Sequence, residues 1–566
     1  MIKVKRRVSL HQFVMNQQFP HPKLSNARIL LSSVFGPYAC DDDYGSRSSN
    51  PMELYHNQVT REQDAYSLRM FHRSWGIMFI QENIAAPSTV LDFPTREAFE
   101  QELTTGHYDV VGISSIVMNV GKVREMCRSV RRLAPHAAIV VGGHVAAIPG
   151  LNLLIDADFI VKGEGVGWMR RYLGEDAEAP VRHPLIVSGF GQRVMGLKLP
   201  QQIGATCATI IPSVGCPMGC NFCATSAFFG GKGHSTTFLE TGEDIYKVME
   251  EAEQSLHLQA FFVMDENFLL NRRRALELLE CMRRGGKSWE MYVFSSANAI
   301  RKYTMEELVE LGVSWVWMGL ESEHSEYAKL SGTDTQALTT ELRKNGIRVL
   351  GSTIVGLEHH TPENIEEEIE YAVKLDTDFH QFMLYTPLPG TPLGEQMERE
   401  GRLIEGTDYA DIHGQYKFNW KHPSISRDES KELLDGAFRR DYERNGPSLY
   451  RLCRTTLEGW KRHRRHPDVR VRERFEREAR SLSTHYSALL WAMEHDLNKT
   501  RQDLGERVHT LRAEIGRECG SLTSAAASWL AGPMMLWSTR RERRRLKEGI
   551  TYEPQTFIER RNWVEA

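Results

Sequence analysis

Short apolar runs separated by helical stretches constrain this chain more than any other feature. "ARILLSSV" (27–34), "STVLDFP" (88–94), "YDVVGIS" (108–114), "AAIVVGG" (137–143) and "ADFIVKGEG" (157–165) each read as a buried strand. Between them lie helix patterns such as "REAFEQEL", which Thr95 can cap, and "GKVREMCRSVRRLAP". Strands alternating with helices of about 10–15 residues imply a parallel, doubly wound sheet. The connection from 35 to 87 is too long for a simple crossover. It holds the polar loop "GPYACDDDYGSRSSN" and a helix pattern around 62–82. Loops of this length at strand C-terminal ends usually carry function.

After a mixed linker at about 175–205, six further strand candidates follow: "TCATIIPSV", "AFFVMDE", "EMYVFSS", "WVWMGLES", "RVLGSTIVGL" and "FHQFMLYTP". Six βα units describe an open, partial (β/α)6 barrel, whose chemistry belongs at the C-terminal ends of its strands. From about 406 the pattern is helical and charge-rich, with no strand. The expected fold class is therefore α/β: an N-terminal doubly wound sheet (1–185), a partial barrel (186–405) and a helical, basic C-terminal domain (406–566). With 41% hydrophobic and 25% charged residues the composition is that of a globular protein. No signal peptide and no run of about 18 apolar residues is present, so a cytoplasmic enzyme is expected.

Of nine cysteines, three crowd into "GCPMGCNFC": Cys216, Cys220 and Cys223, spaced C-x3-C-x2-C. The others (Cys40, Cys127, Cys207, Cys281, Cys453, Cys519) are isolated. Clustered thiols without an export signal point to metal or redox chemistry rather than disulfides. Structural zinc takes a closed set of four ligands. A four-iron cluster takes one ligand per iron, so three cysteines leave one iron open. The loop follows the first barrel strand and so stands at the active face.

This placement resembles the radical S-adenosylmethionine (SAM) superfamily, over about residues 205–395. The resemblance implies a [4Fe-4S] cluster on the three cysteines, with SAM bound through its amino and carboxylate groups to the open iron. SAM would then be cleaved to a 5′-deoxyadenosyl radical by an electron from a reductant such as flavodoxin or ferredoxin. Phe222 sits where the family has an aromatic near adenine. Asp265 and Glu266 end the second strand, Ser295 and Ser296 the third, and Glu321 the fourth, all suited to polar contact with SAM or substrate. Ile354 and Gly356 in "GSTIVGL" match the family's adenine-cradling motif, and "YTPLPGTPL" (385–393) its cobalamin-associated branch.

The first sheet resembles the cobalamin-binding domain of that branch. Ser114 and Ile116 stand where such domains have Ser-x-Leu, Gly142 and Gly143 would let a bulky ligand approach, and "VKGEG" supplies Gly163, Glu164 and Gly165. The Asp-x-His-x-x-Gly cobalt-ligating motif is missing, since the loop after the first strand reads "CDDDYG". Two options stay open: cobalamin bound without that histidine, or a retained fold that binds none. His144 reads as structural rather than as a ligand. "HH" (359–360) and "HRRH" (463–466) read as solvated positions.

Residues 451–566 hold 24 Lys and Arg against 16 Asp and Glu, while the remainder holds 46 against 58. A basic tail on an acidic body suggests an anionic partner. In 524–549, Trp529, Met534, Met535 and Trp537 precede Arg540, Arg541, Arg543, Arg544 and Arg545, which suits a peripheral segment at anionic lipid. The competing reading is a core helix followed by a solvated one. Nucleic acid is disfavoured because no reading motif accompanies the basic patch. The resemblance implies methylation of an unactivated carbon on a small-molecule or lipid substrate. Radical carbon–carbon coupling or cyclisation without methyl transfer, and a non-catalytic cluster and cobalamin sensor, remain as alternatives.

Overall fold

The computed structural model describes residues 19–36, 44, 54–198, 207–321, 334–549 and 554–562. Most of the expected loop "GPYACDDDYGSRSSN", including Cys40, lies outside them. The chain divides into two compact units, residues 1–36 with 74–184 and 555–566, and residues 37–73 with 185–554.

In the first unit, β1 (Ile29–Ser33), β2 (Ser88–Asp92), β3 (Val110–Ser114), β4 (Ala138–Gly142) and β5 (Phe159–Ile160) form a parallel sheet in the order β2-β1-β3-β4-β5. The runs are apolar because helices cover the sheet; Ile29, Leu31, Val90, Val110 and Val140 are buried together with Met169 and Tyr172. Thr95 Oγ1 accepts the Ala98 N–H at 3.0 Å and starts the helix Arg96–Thr105, as expected.

Two local expectations are corrected. Past residue 406 the chain is not strand-free, because Phe557–Arg561 pairs antiparallel with β2, Phe557 opposite Asp92. Arg560 holds it there through Glu102 Oε1 and Oε2 at 2.7 and 2.9 Å. An edge strand paired through its backbone needs no apolar run, so the sequence signal is weak. The helix expected at 62–82 is α-helical only over Trp75–Glu82. Arg69–Phe71 is instead a short strand against Phe190–Val194, since cross-strand pairing outweighs local helix pattern. Within the mixed linker at 175–205, β6 (Ile186–Ser188) pairs antiparallel with the first barrel strand.

The second unit carries the six expected barrel strands: β7 (Cys207–Ile210), β8 (Ala260–Val263), β9 (Glu290–Phe294), β10 (Val313–Glu321), β11 (Arg348–Val355) and β12 (Phe379–Leu384). They are parallel and run in chain order, with β6 on the β7 edge and no pairing between β6 and β12 among the described residues. Capping boxes at Thr241–Asp244 and Thr304–Glu307 start two of the helices around this sheet.

An open barrel must still fill its interior. Phe262, Tyr292, Trp315 and Phe379, from β8, β9, β10 and β12, point inward with successive ring centroids 4.7, 5.6 and 5.2 Å apart. Tyr55 and His72, on the chain segment that precedes the barrel by more than a hundred residues, close the circle. Tyr55 lies 6.3 Å from Phe379 and 6.3 Å from His72, and His72 stacks on Phe262 at 5.2 Å. These separations suit edge and offset aromatic contact.

Six helices between Arg427 and Lys547 complete this unit. They anchor on the N-terminal ends of the strands, away from the loops that could carry chemistry. Arg348 at the start of β11 pairs with Glu478, and Arg477 reaches the Ser288 carbonyl just before β9 and Glu290 at its start. Arg451, fully buried, donates to Thr377 O at 2.7 Å and to both Asp441 oxygens at 3.0 and 2.8 Å.

Two stability outcomes follow from these contacts. Arg451→Met leaves Asp441 buried and unpaired and lowers unfolding free energy by about 3–5 kcal/mol, whereas adding Asp441→Leu recovers most of it in chemical denaturation. Burial lowers the His72 pKa to about 4, so the folded ring stays neutral where an unfolded histidine already takes a proton. Its contribution is complete above pH 6.5 and is lost as pH falls toward 4. His72→Phe therefore reduces the slope of stability against pH in that window by about 1.4 kcal/mol per unit. An unchanged slope in pH-dependent melts would contradict it.

Candidate functional site

The cysteine loop leaves β7 and is pinched at its base by pairing of Ser213–Val214 with Thr236–Thr237. Inside it the chain doubles back on itself. Cys223 N donates to Cys220 O at 3.0 Å, Gly233 N to Pro217 O at 2.9 Å and Ser226 Oγ to Cys216 O at 2.8 Å. Gly219 takes φ +67°, and a Cβ there would stand 2.5 Å from Lys232 Cβ. Only glycine fits that turn. Leu393 N donates to Asn221 O at 3.0 Å, tying the loop to "YTPLPGTPL".

The donor set fits a cluster. The three thiols are half-buried, and Cys223 Sγ accepts the Ser226 N–H at 3.4 Å. Burial pushes the Cys216 thiol up to about 11, with the nearby Cys223, Cys220 and Glu266 adding to the shift. These four groups therefore share one neighbourhood, where a cation would release the thiol protons. Among the described residues no three Cys, His, Asp or Glu side chains converge as the ligands of a single ion.

Around this loop the strand ends divide their work. Glu266 Oε2 is buried without a hydrogen-bond partner among the described residues, and burial raises its pKa to about 7. An orphaned buried acceptor beside the cysteines fits a bound ammonium group such as that of SAM. Asp265, its neighbour, is turned away: its oxygens take Arg274, Ser213 Oγ and the Asn267 N–H. Asn267 Oδ1 in turn accepts from Ser295 Oγ at 3.1 Å and the Ser296 N–H at 3.0 Å, fixing the end of β9. Glu321 closes β10 beyond a register shift, with φ +50°, a rare backbone state that clusters at functional sites.

Phe222 and Ile354 belong to one apolar cluster with Tyr385, which meets the Phe222 ring edge-on at 6.3 Å. Tyr385 OH also accepts from Asn221 Nδ2 at 3.3 Å. Gly356 has a packing reason as well: a Cβ would stand 2.3 Å from Phe418 Cζ. His360 Nδ1 accepts the N–H groups of Gly356 and Leu357 at 3.0 and 3.1 Å, which holds the turn after β11. His359 is exposed as expected, but the expectation of solvated histidines is corrected for His360, His463 and His466, which are all buried, with His463 stacked on Phe475 at 4.7 Å. Burial keeps His360 at about 4 and so in the neutral form that can accept.

Sequence reasoning missed a layer between the aromatic ring and the strand ends. Trp317 Nε1 donates to Ser352 Oγ at 2.6 Å, Ser352 Oγ to Gln381 Oε1 at 3.1 Å, and Gln381 Nε2 to Gln58 Oε1 at 3.1 Å. Phe294 stacks on Trp317 at 4.8 Å beside this relay. Inward alternation on β9 to β12 was the available signal. A cavity of about 610 Å³ opens at the opposite strand ends, between Glu290, Arg348 and Glu478. Its walls are the ion pairs that anchor the helical region, and it has no contact with the cysteine loop.

In the first unit the expected ligand-binding residues gather at the C-terminal edge of the sheet. Ser114 and Gly142 end β3 and β4, and Ile116 follows just beyond β3. Gly143 has φ +78°, and a Cβ there would stand 2.5 Å from Ser115 O. Gly163 has φ +94° with open space where a side chain would lie, a cradle that suits a large ligand. Such an edge is where open α/β sheets bind ligands. Glu164 has a structural task, accepting from Val166 N and Gly167 N to start the helix Gly165–Tyr172. Burial holds His144 at about 4.

Gly219→Ala is expected to lower the iron retained after anaerobic reconstitution severalfold while leaving the far-UV spectrum unchanged, because the strain falls on the loop alone. Full iron content in that variant would contradict the tight-turn account.

A family model of the radical SAM superfamily matches residues 210–401, and a B12 binding domain model matches residues 83–173. An uncharacterized methyltransferase of Pyrococcus horikoshii is 27% identical, over 51% of this chain and 69% of that protein. The bacteriochlorophyllide d C-8(2)-methyltransferase of Chlorobaculum tepidum is 23% identical over 66% of this chain and 84% of its own. The hopanoid C-2 methylase of Rhodopseudomonas palustris is 24% identical over 65% and 70%. With the B12 binding model matched ahead of the radical SAM model, the chain belongs to the radical SAM superfamily, in the branch that carries a B12 binding domain, and its cofactors are a [4Fe-4S] cluster, S-adenosylmethionine and cobalamin.

Proposed function

We propose that this enzyme methylates an unactivated carbon of a largely apolar small molecule, a lipid among the class, at the C-terminal end of its barrel. The observation that carries the reading is the grouping of three cysteines with the orphaned Glu266 carboxylate beside the apolar wall of Phe222, Ile354 and Tyr385. Methyl-transferring relatives support it, two of them named for chlorophyllide and hopanoid carbons. When bound, the cluster supplies the electron that cleaves SAM to a 5′-deoxyadenosyl radical, and cobalamin supplies the methyl group.

The chain's own residues hold and orient. Cys216, Cys220 and Cys223 hold the cluster, and Glu266 with Glu321, Ser295 and Ser296 receives the polar end of SAM. Phe222, Ile354 and Gly356 border its adenine. Asp265 acts through Arg274 and Asn267 to fix that end of the barrel. Ser114, Ile116, Gly142, Gly143 and Gly163 line the cobalamin edge, with Glu164 setting the helix behind it. Phe294 and Trp317 offer an apolar face to substrate, while Ser352, Gln381 and Gln58 offer one hydrogen-bonding rail. Excluding water there protects a reactive radical from side reactions. A small electron-transfer protein such as flavodoxin or ferredoxin supplies reducing equivalents, and the enzyme works at a lipid surface where apolar substrates dissolve.

The test is anaerobic incubation of the reconstituted protein with reductant, methyl-labelled SAM and a bacterial lipid extract. The expected outcome is 5′-deoxyadenosine together with label in the organic phase, both lost in Cys220→Ala. Reconstitution should give about four irons per chain with bound cobalamin. 5′-Deoxyadenosine without transferred label would favour coupling or cyclisation instead, and no SAM cleavage under reducing conditions would leave only a sensor.

A further inference from the structure

The helix Ser521–Lys547 turns mainly small and polar side chains inward and most of its large apolar ones out. Ser524, Ser528, Gly532, Met535 and Thr539 are buried. Gly532 lies so close to Trp491 that a Cβ would stand 2.5 Å from the ring, and Ser528 Oγ donates to Ser487 O at 3.2 Å. Leu522, Trp529, Leu530, Met534 and Trp537 face outward, each between 54% and 86% exposed. Exposed Ala526 and Pro533 and half-buried Ala527 lie in the row between them. Single exposed leucines are ordinary, but a continuous row with two tryptophans marks an interaction surface.

The same helix continues as Arg540, Arg541, Arg544 and Lys547, with the Arg541 guanidinium over the Trp537 ring at 5.5 Å. Arg540 and Arg541 are exposed beside it. Not every residue read from the sequence as lipid-facing belongs here. Met535 packs inside, Arg543 pairs with Asp496 and Asp64, and Arg545 pairs with Glu542.

We propose that this outward face binds the surface of an anionic lipid bilayer, the helix lying in the interface plane. Charge complementarity selects that occupant: indole rings suit the headgroup boundary, and the cationic row suits anionic headgroups. A second copy packed antiparallel across a two-fold would lay the arginine row over the apolar row and bury charge without a partner. Among the described residues no helix is long and apolar enough to cross a membrane, so the contact is peripheral. The proposal rests on the apolar-substrate reading only for its purpose, since a surface-bound enzyme meets such a substrate where it dissolves.

Co-sedimentation of the full, cluster-loaded chain with vesicles tests it. The protein is expected to pellet with phosphatidylcholine vesicles containing phosphatidylglycerol, weakly with phosphatidylcholine alone, and less as salt rises. Trp529→Ser with Trp537→Ser, and Arg540→Glu with Arg541→Glu, are each expected to weaken binding by about tenfold or more. These positions are exposed, so iron content and far-UV spectrum stay as in the parent and report folding separately. No pelleting with anionic vesicles, or unchanged binding by both variants, overturns the proposal. A concentration-dependent dimer abolished by the tryptophan substitutions, without vesicle binding, would assign the face to a second copy. Vesicle binding that persists while methyl transfer fails would remove the proposed reaction and leave this surface standing.

Discussion

The second unit depends on a closed ring of six aromatic side chains inside a barrel that does not itself close. Four rings come from β8, β9, β10 and β12, but β12 and β6 do not pair, and the barrel stays open between them among the described residues. Tyr55 and His72 stand in that gap. The ring removes large apolar surfaces from water at once, each on the order of 150–250 Å². It also sets the depth of the site. Below it lie the buried ion pairs that hold the helical region. Above it, from the Trp317–Ser352–Gln381–Gln58 relay to the cysteine loop, the barrel is half-open and able to meet a ligand.

That division explains why the two ends of the barrel use polar groups differently. At the N-terminal ends Arg348 and Glu478 are buried and paired, with Arg474 Nε 3.8 Å from the other Glu478 oxygen, so that carboxylate meets its counter-charges from within the chain. At the C-terminal ends one carboxylate of an adjacent pair is treated in that way and the other is not. Asp265 is held by Arg274, Ser213 and Asn267, whereas Glu266 keeps an oxygen without a partner. The firmly held member positions the strand end, which leaves its neighbour available for a cation that arrives from outside the chain.

The barrel strands were legible because each carries a compact apolar run bounded by turn residues. The cysteine loop was legible because three thiols within eight residues of one loop suit a shared metal cluster far better than disulfides or a buried core. Long-range closure was not legible. Nothing local in "LYHNQV" or "FHRSW" announces that Tyr55 and His72 complete a ring with residues two to three hundred positions away. The buried histidines escaped for a related reason. His360 sits in a polar stretch, and its burial follows from two backbone N–H groups that need an acceptor after β11. The strand Phe557–Arg561 was hidden by its three charges, of which Arg560 is exposed and Glu559 and Arg561 are half-buried at the sheet edge.

The excess positive charge of the C-terminal region looked uniform in the sequence and is sorted in three dimensions. Arg451, Arg454, Arg474, Arg477 and Arg543 point into the protein and meet Asp441, Asp376, Glu478, Glu290 and Asp496. Their charge is cancelled within about 4 Å and contributes little field outside. Arg540 and Arg541 have no such role in packing, and they project a field from one stretch of one helix, directly after its exposed tryptophans. A net charge therefore overstates how basic most of this region is and understates how concentrated the cationic surface of that helix is.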